Sequence, residues 1–371
     1  MVRILHTADI HLGARFTGLG NKGASQREQL NTTFKSVVHT AIDQRANIVL
    51  IAGDLFDSNQ QPQRNIDLVI EQFSLLGDNG IPVCLIPGTH DALDSSSIYR
   101  KVDFPQRCPN VTVFVDEDIS WREYPGLDLT VYGRPNSSNR SYNSPLRGLK
   151  PSTSSRFHVA MAHGSLHIPE RIAEDDHVFR LDEIQSSGMH YLALGHWHRV
   201  YACCDKPPAW YPGPPEWIPE QRERGAVLLV TLSDSGEVAV EPRKLGLRDY
   251  DETEIDMSEV QNRAVLQERI SAGASSDLVR KVTLKGLRDA ELMVSTEELE
   301  TELGQAFFHL SVDDRSHPRV GQVSGDGERL IRNRFIELMN ERIERAEGDE
   351  RAIAENALQY GIALLDGREV L

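Results

Sequence analysis

Five short apolar runs in this chain each end in side chains that can hold a metal ion. The first ends in Asp9 and His11, within HTADIHLG; the second, AGDLFD, supplies Asp54 and Asp57. PGTHD follows with Thr89, His90 and Asp91, AHGS carries His163, and LGHWH carries His196 and His198. Residues two apart point the same way on an extended backbone, so Asp9 with His11 and His196 with His198 can each act as a pair. Mixed carboxylate and imidazole ligands suit Mn²⁺, Fe²⁺ or Zn²⁺ better than Ca²⁺ or a thiolate-bound metal. So many ligands exceed the needs of one ion. Two ions about 3.5–4 Å apart that share a carboxylate would use them, and such a pair suits phosphoryl transfer. Taken singly, each motif has a plainer reading as a turn, a cap or a hydrogen-bonded core histidine. Five in order, each just after an apolar run, carry the metal-site reading. The other histidines (His6, His39, His158, His167, His177, His190, His309 and His317) lack that context and read as structural or surface residues.

Something must bring five loops together, and the first 240 residues supply it. Strand-like runs at residues 2–5, 48–52, 83–86, 159–162 and 191–194 alternate with helical patterns. Phe34, Val37, Val38, Ala41 and Ile42 mark one helix face, and Ile66, Val69, Ile70, Phe73 and Leu76 mark another. Further runs at 111–115, 129–132 and 226–232 add strands. This alternation predicts a layered α/β domain over residues 1–245, at least partly parallel. Loops at the carboxyl ends of neighbouring parallel strands then share one crevice. The glycines Gly53, Gly88, Gly164 and Gly195 beside the ligands allow backbone to approach closely.

Past residue 245 the pattern changes. An acidic stretch opens a small α+β domain over 246–317, with strand, helix, strand, helix and strand at 252–256, 260–270, 279–284, 296–307 and 308–312. A linker leads to two C-terminal helical patterns within 318–371. One carries Ile331, Phe335, Met339 and Ile343; the other carries Ile353, Ala357, Tyr360 and Leu364. They either pack on the small domain or offer an apolar face to a partner.

The chain has 371 residues and a formal charge of −16, which disfavours diffuse binding to nucleic acid or anionic membranes. One stretch runs against that charge: Arg134, Arg140, Arg147, Lys150 and Arg156 follow one another with no acid between Asp128 and Glu170. It reads either as a solvated loop or as a contact to a phosphate backbone. No apolar run approaches the ~18 residues that span a bilayer. The opening segment carries ligands and so makes a poor signal peptide. Four cysteines without a C-x-x-C pair suggest a reducing cytoplasm.

The ordered set Asp-x-His, Gly-Asp-x-x-Asp, Gly-x-His-Asp, a later His and Gly-His-x-His resembles the calcineurin-like metallophosphoesterase superfamily over roughly residues 1–240. HTADIHLG, AGDLFD and LGHWH are most similar to the SbcD and meiotic-recombination-eleven type of DNA repair nuclease. The resemblance implies a core of β-sandwich flanked by helices, with a capping domain and helices that bind an SbcC/Rad50-type coiled-coil ATPase. It implies Asp9, His11, Asp54 and His198 on a first metal, with Asp54 bridging to a second that also takes His163 and His196. It further implies in-line attack on phosphorus by a hydroxide between the metals. His90, oriented by Asp91, would protonate the leaving oxygen, and Asp57 would hold a ligand histidine or the turn. The sequence departs from the family pattern at Thr89, where the family carries an asparagine that binds the second metal. A threonine hydroxyl is a shorter and weaker neutral ligand.

The resemblance implies a Mn²⁺-dependent DNA exonuclease and endonuclease in double-strand-break repair, homodimeric and with an ATPase partner, and the composition adds a cytoplasmic setting and no membrane contact. Two other readings stand beside it. One is a phosphodiesterase or phosphatase for small nucleotide substrates; the other is a catalytically weakened scaffold marked by Thr89.

Overall fold

The computed structural model describes residues 1–219, 221, 223–289, 292–318, 330–346 and 349–365, in two compact units, Met1–Tyr250 and Asp251–Leu371. In chain order the first unit contains β1 (Val2–Thr7), α1 (Gly23–Asp43), β2 (Ile48–Ala52), α2 (Gln63–Asp78), β3 (Val83–Ile86), α3 (Ile98–Lys101), α4 (Phe104–Arg107) and β4 (Val111–Val113). There follow β5 (Ser120–Tyr124), β6 (Leu129–Gly133), β7 (Phe157–His163), α5 (Leu181–Gln185), β8 (Tyr191–Gly195), β9 (Tyr201–Asp205), β10 (Pro208–Tyr211), β11 (Val227–Leu232) and β12 (Val238–Arg243).

The strands form two six-stranded sheets, ordered β12-β11-β1-β2-β3-β4 and β5-β6-β7-β8-β10-β9. β1 to β4 run parallel to one another, as do β6, β7, β8 and β10. A common core joins the two sheets. Ile4, Ile48, Leu50, Ala52 and Ile86 from one sheet meet Val131, Val159, Met161, Tyr191 and Ala193 from the other. The strands obey the two-residue alternation of side chains. Tyr191 and Ala193 face this core, whereas Leu192 and Leu194 join a second cluster with Phe179 and Ile184. Both faces of β2 and β8 are covered, which explains their uninterrupted apolar runs. α1 buries Leu30, Phe34, Val37, Val38 and Ala41, and its Phe34 meets Phe73 of α2 edge-on at 6.4 Å. The expected α/β sandwich with flanking helices is the fold observed. Strands β5, β9, β10 and β12 were not anticipated, because their short and partly exposed runs carry little apolar signal.

The second unit is a separate small α+β body that begins at Asp251, a few residues beyond the expected boundary. Its elements are β13 (Asp249–Asp256), α6 (Arg263–Ser271), β14 (Leu278–Lys285), β15 (Leu287–Arg288), α7 (Thr296–Leu303), β16 (His309–Asp314), β17 (His317–Pro318), α8 (Leu330–Arg345) and α9 (Asp349–Leu365). Asn262 and Ser295 cap α6 and α7, accepting from the backbone N–H of Val265 and Glu298. A sheet ordered β13-β14-β16 and these helices bury Ile255, Leu266, Ile270, Val282, Leu299 and Phe307.

The two C-terminal helices pack on each other. The Phe335 ring lies where a side chain at residue 361 would stand, so Gly361 admits it. The buried stripe of α9 is Ala354, Leu358 and Ile362. Of the stripe read from the sequence, Ile353 is 67% exposed and Leu364 is exposed too, as in the alternative that offers an apolar face. The stripe is set by the contact with α8, one position round from the expected one. The expected linker falls mostly on residues 319–329, outside the described residues. No helix among the described residues is long and apolar enough to cross a membrane.

Candidate metal centre

The carboxyl ends of β1, β2, β3, β7 and β8 converge, and their loops are stitched together by backbone hydrogen bonds. Asp9 N donates to Gly53 O at 3.1 Å, His11 N to Asp54 O at 3.0 Å and Gly164 N to Gly195 O at 3.2 Å. Asp9, His11, Asp54 and His196 all take positive φ, at 55°, 52°, 50° and 109°. Such conformations cost of order 1–3 kcal/mol each for a residue other than glycine, and concentrated strain is typical of functional sites. Gly88 and Gly195 let the loops close. A Cβ at 88 would strike the Asp54 carboxylate, and one at 195 would strike Ala52 O and the His163 ring.

Asp54 sits at the centre. Its Oδ1 accepts from His90 N at 2.8 Å, and its Oδ2 lies 3.2 Å from His163 Nε2, 3.2 Å from Thr89 Oγ1 and 3.7 Å from His11 Nε2. Two buried groups of donors share Asp9: one with His11 and His198, the other with Asp54 and His163. His196 meets His163 edge-on at 5.1 Å, and its N–H donates to both Asp9 oxygens at 3.0 and 3.1 Å. The seven residues expected as metal ligands, Asp9, His11, Asp54, Thr89, His163, His196 and His198, are thus brought into one cleft.

The charges in that cleft are mutually dependent. Burial pushes Asp9 up to about 6. Burial also opposes charge on Asp54, but His163, His11 and His90 outweigh it and hold the carboxyl well below the usual carboxylate range. His163 is pulled up to about 9 against its burial by Asp54 and Asp9, whereas burial beside His11 drops His198 to about 3. These buried acids require positive charge beside them, and a divalent cation supplies it in place of protons.

The imidazoles are tautomerically prepared for such an ion. His163 Nδ1 donates to Ala52 O at 2.8 Å, and His11 Nδ1 donates to Asp57 at 3.2 Å. Each therefore keeps its Nε2 lone pair for a ligand. His11 Nε2 is buried with no hydrogen-bond partner, a costly state that a cation would relieve. The residues present fit a pair of divalent ions.

His90 lies at the mouth, about half exposed, with Nδ1 3.2 Å from Asp57 O and 3.9 Å from the Asp57 carboxylate. Asp91 does not orient it. The Asp91 carboxylate is buried and accepts from Gly88 N, Phe56 N and the Tyr99 hydroxyl, at 2.7, 3.1 and 2.5 Å. It braces the loop under His90, and Asp57 is the residue that touches both His11 and His90.

The basic stretch is dispersed. Arg134 donates to Glu117 O, Arg140 pairs with Asp175 at 2.9 Å, and Lys150 binds Ser186 O. Arg156 pairs with Asp234 at the start of β7, roughly 20 Å along the strand from His163. Arg147 is exposed. Arg140 lies next to Ser141, which bridges Asp176, whose carboxylate contacts His196, and Arg134 lies two residues before Asn136, which donates to His163 O. Sequence reasoning missed Asp176. Its EDDH surroundings look like an ordinary acidic loop, with no glycine or apolar run to single it out.

The sequence pattern of the calcineurin-like phosphoesterase family matches residues 2–200. The chain is 27% identical over 290 residues to the uncharacterized metallophosphoesterase YhaO of Bacillus subtilis, covering 76% of this chain and 68% of that protein. It is 30% identical over 292 residues to the DNA double-strand break repair protein Mre11 of Aeropyrum pernix, covering 70% and 64%. A shorter match, 36% over 99 residues, links it to the SbcD component of the SbcCD nuclease of Bacillus subtilis, covering 26% and 24%. The chain thus spans about two thirds of the length of YhaO and of the Aeropyrum protein.

Proposed function

Since the chain belongs to the calcineurin-like phosphoesterase family, we propose that it is a Mn²⁺-dependent nuclease that hydrolyses DNA phosphodiester bonds in double-strand-break repair. The observation that carries the reading is the set of acids and imidazoles gathered round Asp54, with His11 Nε2 buried and unpartnered. Similarity to an Mre11 protein and to a component of the SbcCD nuclease supports DNA as the substrate.

Asp9, His11, Asp54 and His198 would hold one cation, and Asp54, Thr89, His163 and His196 the other. Two such ions would supply an acidified water nucleophile and would offset the charge that develops on phosphorus. The chain's own groups do the rest. The glycine-lined loops fix the ligands before substrate arrives, so little reorganisation is needed. His90, anchored through Nδ1 to Asp57 O, would give a proton from its other nitrogen to the leaving sugar oxygen. Arg140, which pairs with Asp175 next to Asp176, would offer a cation to the strand. The reading includes 3′→5′ exonuclease and single-strand endonuclease action, a homodimer and a cytoplasmic setting. An SbcC/Rad50-type ATPase would be bound through apolar residues of α8, of which Ile331 is exposed.

A Mn²⁺-dependent assay on oligonucleotide DNA with the parent, His90→Ala and Thr89→Asn proteins tests the proposal. The parent should cleave DNA, and His90→Ala should lose about 10²–10⁴-fold in rate. Hydrolysis of cyclic nucleotides with DNA left intact would assign a small substrate instead. An inert parent revived by Thr89→Asn would assign a scaffold.

A further inference from the structure

Three of the expected ligand histidines, His11, His163 and His196, do not use the same nitrogen for their hydrogen bonds. His11 and His163 each donate through Nδ1, to Asp57 and to Ala52 O, and so keep Nε2 free. His196 is reversed: its Nε2 lies 3.2 Å from both carboxylate oxygens of Asp176. A neutral imidazole that donates from Nε2 has its lone pair on Nδ1.

We infer that Asp176 is a positioning residue that presents His196 to the second cation through Nδ1, opposite in sense to His11 and His163. The inference rests on the metal-centre reading above. Asp176 is itself held from two sides. Ser165 Oγ donates to Asp176 Oδ2 at 2.6 Å and accepts from Trp197 Nε1 at 3.0 Å. The Trp197 ring stacks on Tyr211 at 4.9 Å and 12°, and the Tyr211 hydroxyl donates to Gly164 O at 2.8 Å. A chain of contacts therefore runs from Tyr211 through Trp197, Ser165 and Asp176 to the edge of His196. It touches the ligands' neighbours in sequence on the way, since Tyr211 bonds Gly164, which follows His163, and Trp197 follows His196. On the other ligand face of His196, its backbone N–H is fixed to Asp9. The ring is thus pinned at its backbone and at its far nitrogen, and Nδ1 lies between the two.

Partners of this kind around a ligand histidine typically change metal affinity 10- to 100-fold. The test uses the full chain with its histidines labelled with ¹⁵N and loaded with ¹¹³Cd²⁺, read by imidazole NMR. The expected result is cadmium coupling to Nδ1 of His196 and to Nε2 of His11 and His163. In a parallel Mn²⁺ titration followed by calorimetry, Asp176→Asn should weaken the second binding step about 10- to 100-fold and leave the first within about two-fold. Ser165→Ala should weaken the same step by a few-fold. Coupling to Nε2 of His196 in the wild-type chain, or two unchanged binding steps in Asp176→Asn, overturns the assignment. Absence of cadmium coupling at His11 and His163 overturns the metal-centre reading, and this inference falls with it. Those two failures give different spectra.

Discussion

The strand-end cleft and the C-terminal helix pair sit at opposite extremes of how a chain can use its residues. In the cleft, ionisable groups are buried and several ligand residues occupy left-handed backbone, so the local arrangement costs stability. The helix pair shows no such strain among the described residues. Its seam is apolar, with Phe335 against Gly361 and a stripe of Ala354, Leu358 and Ile362, while Ile331 and Ile353 face outward. The sandwich core beneath the cleft supplies the stability that the ligands consume. The difference teaches that function here resides where the packing rules are broken, and that the helices obey them on one side only.

That contrast predicts substitutions whose effects separate cleanly. The largest loss of activity is expected from Asp54→Asn, which removes the carboxylate proposed to serve both cations. Hydrolysis of bis-p-nitrophenyl phosphate should fall about 10³-fold or more. In the helix pair, Ile362→Ala should cost about 2–5 kcal/mol of local stability by opening a cavity, seen as faster hydrogen exchange in α8 and α9. Hydrolysis of the same small diester should not change. A fall in that hydrolysis would break the separation drawn here.

A pH prediction sharpens the electrostatic side. The folded value of His163, about 9, lies above its ordinary 6.5. In the metal-free protein its protonated ring therefore contributes stability that is complete below about pH 6.5 and lost as pH rises through about 9. A cation must displace that proton. Apparent affinity for Mn²⁺ should accordingly rise with pH across the same window, with proton release near neutrality. Calorimetry in buffers of different ionisation enthalpy measures the release, and buffer-independent heats at pH 7 would contradict it. The smallest effect is expected on the outer face of the helices. Ile353→Ser should change stability by less than about 0.5 kcal/mol in a denaturation series, because the side chain is already in water.

Much of the cleft was legible because each ligand follows an apolar strand and sits beside a glycine, as in AGDLFD and LGHWH. Those signals are local, and parallel strands carry them to one end of a sheet. Contacts between segments distant in sequence were not legible. Asp176 reaches His196 from a polar loop with no periodic pattern, and Asp91 turns inward to Tyr99 instead of toward its neighbour His90. Which face of α9 packs was open for a related reason. Two apolar stripes lie side by side on that helix, and the contact of Phe335 with Gly361 is a long-range one. Strands such as β5 and β12 escaped because edge strands expose half their residues and lose the apolar run.

The central claim is that residues from five strand ends hold two cations around Asp54. Anomalous diffraction from crystals soaked in saturating Mn²⁺ tests it most directly. Two peaks about 3.5–4 Å apart are predicted, one on either side of the Asp54 carboxylate. A single peak there, or manganese bound only elsewhere on the chain, would contradict it.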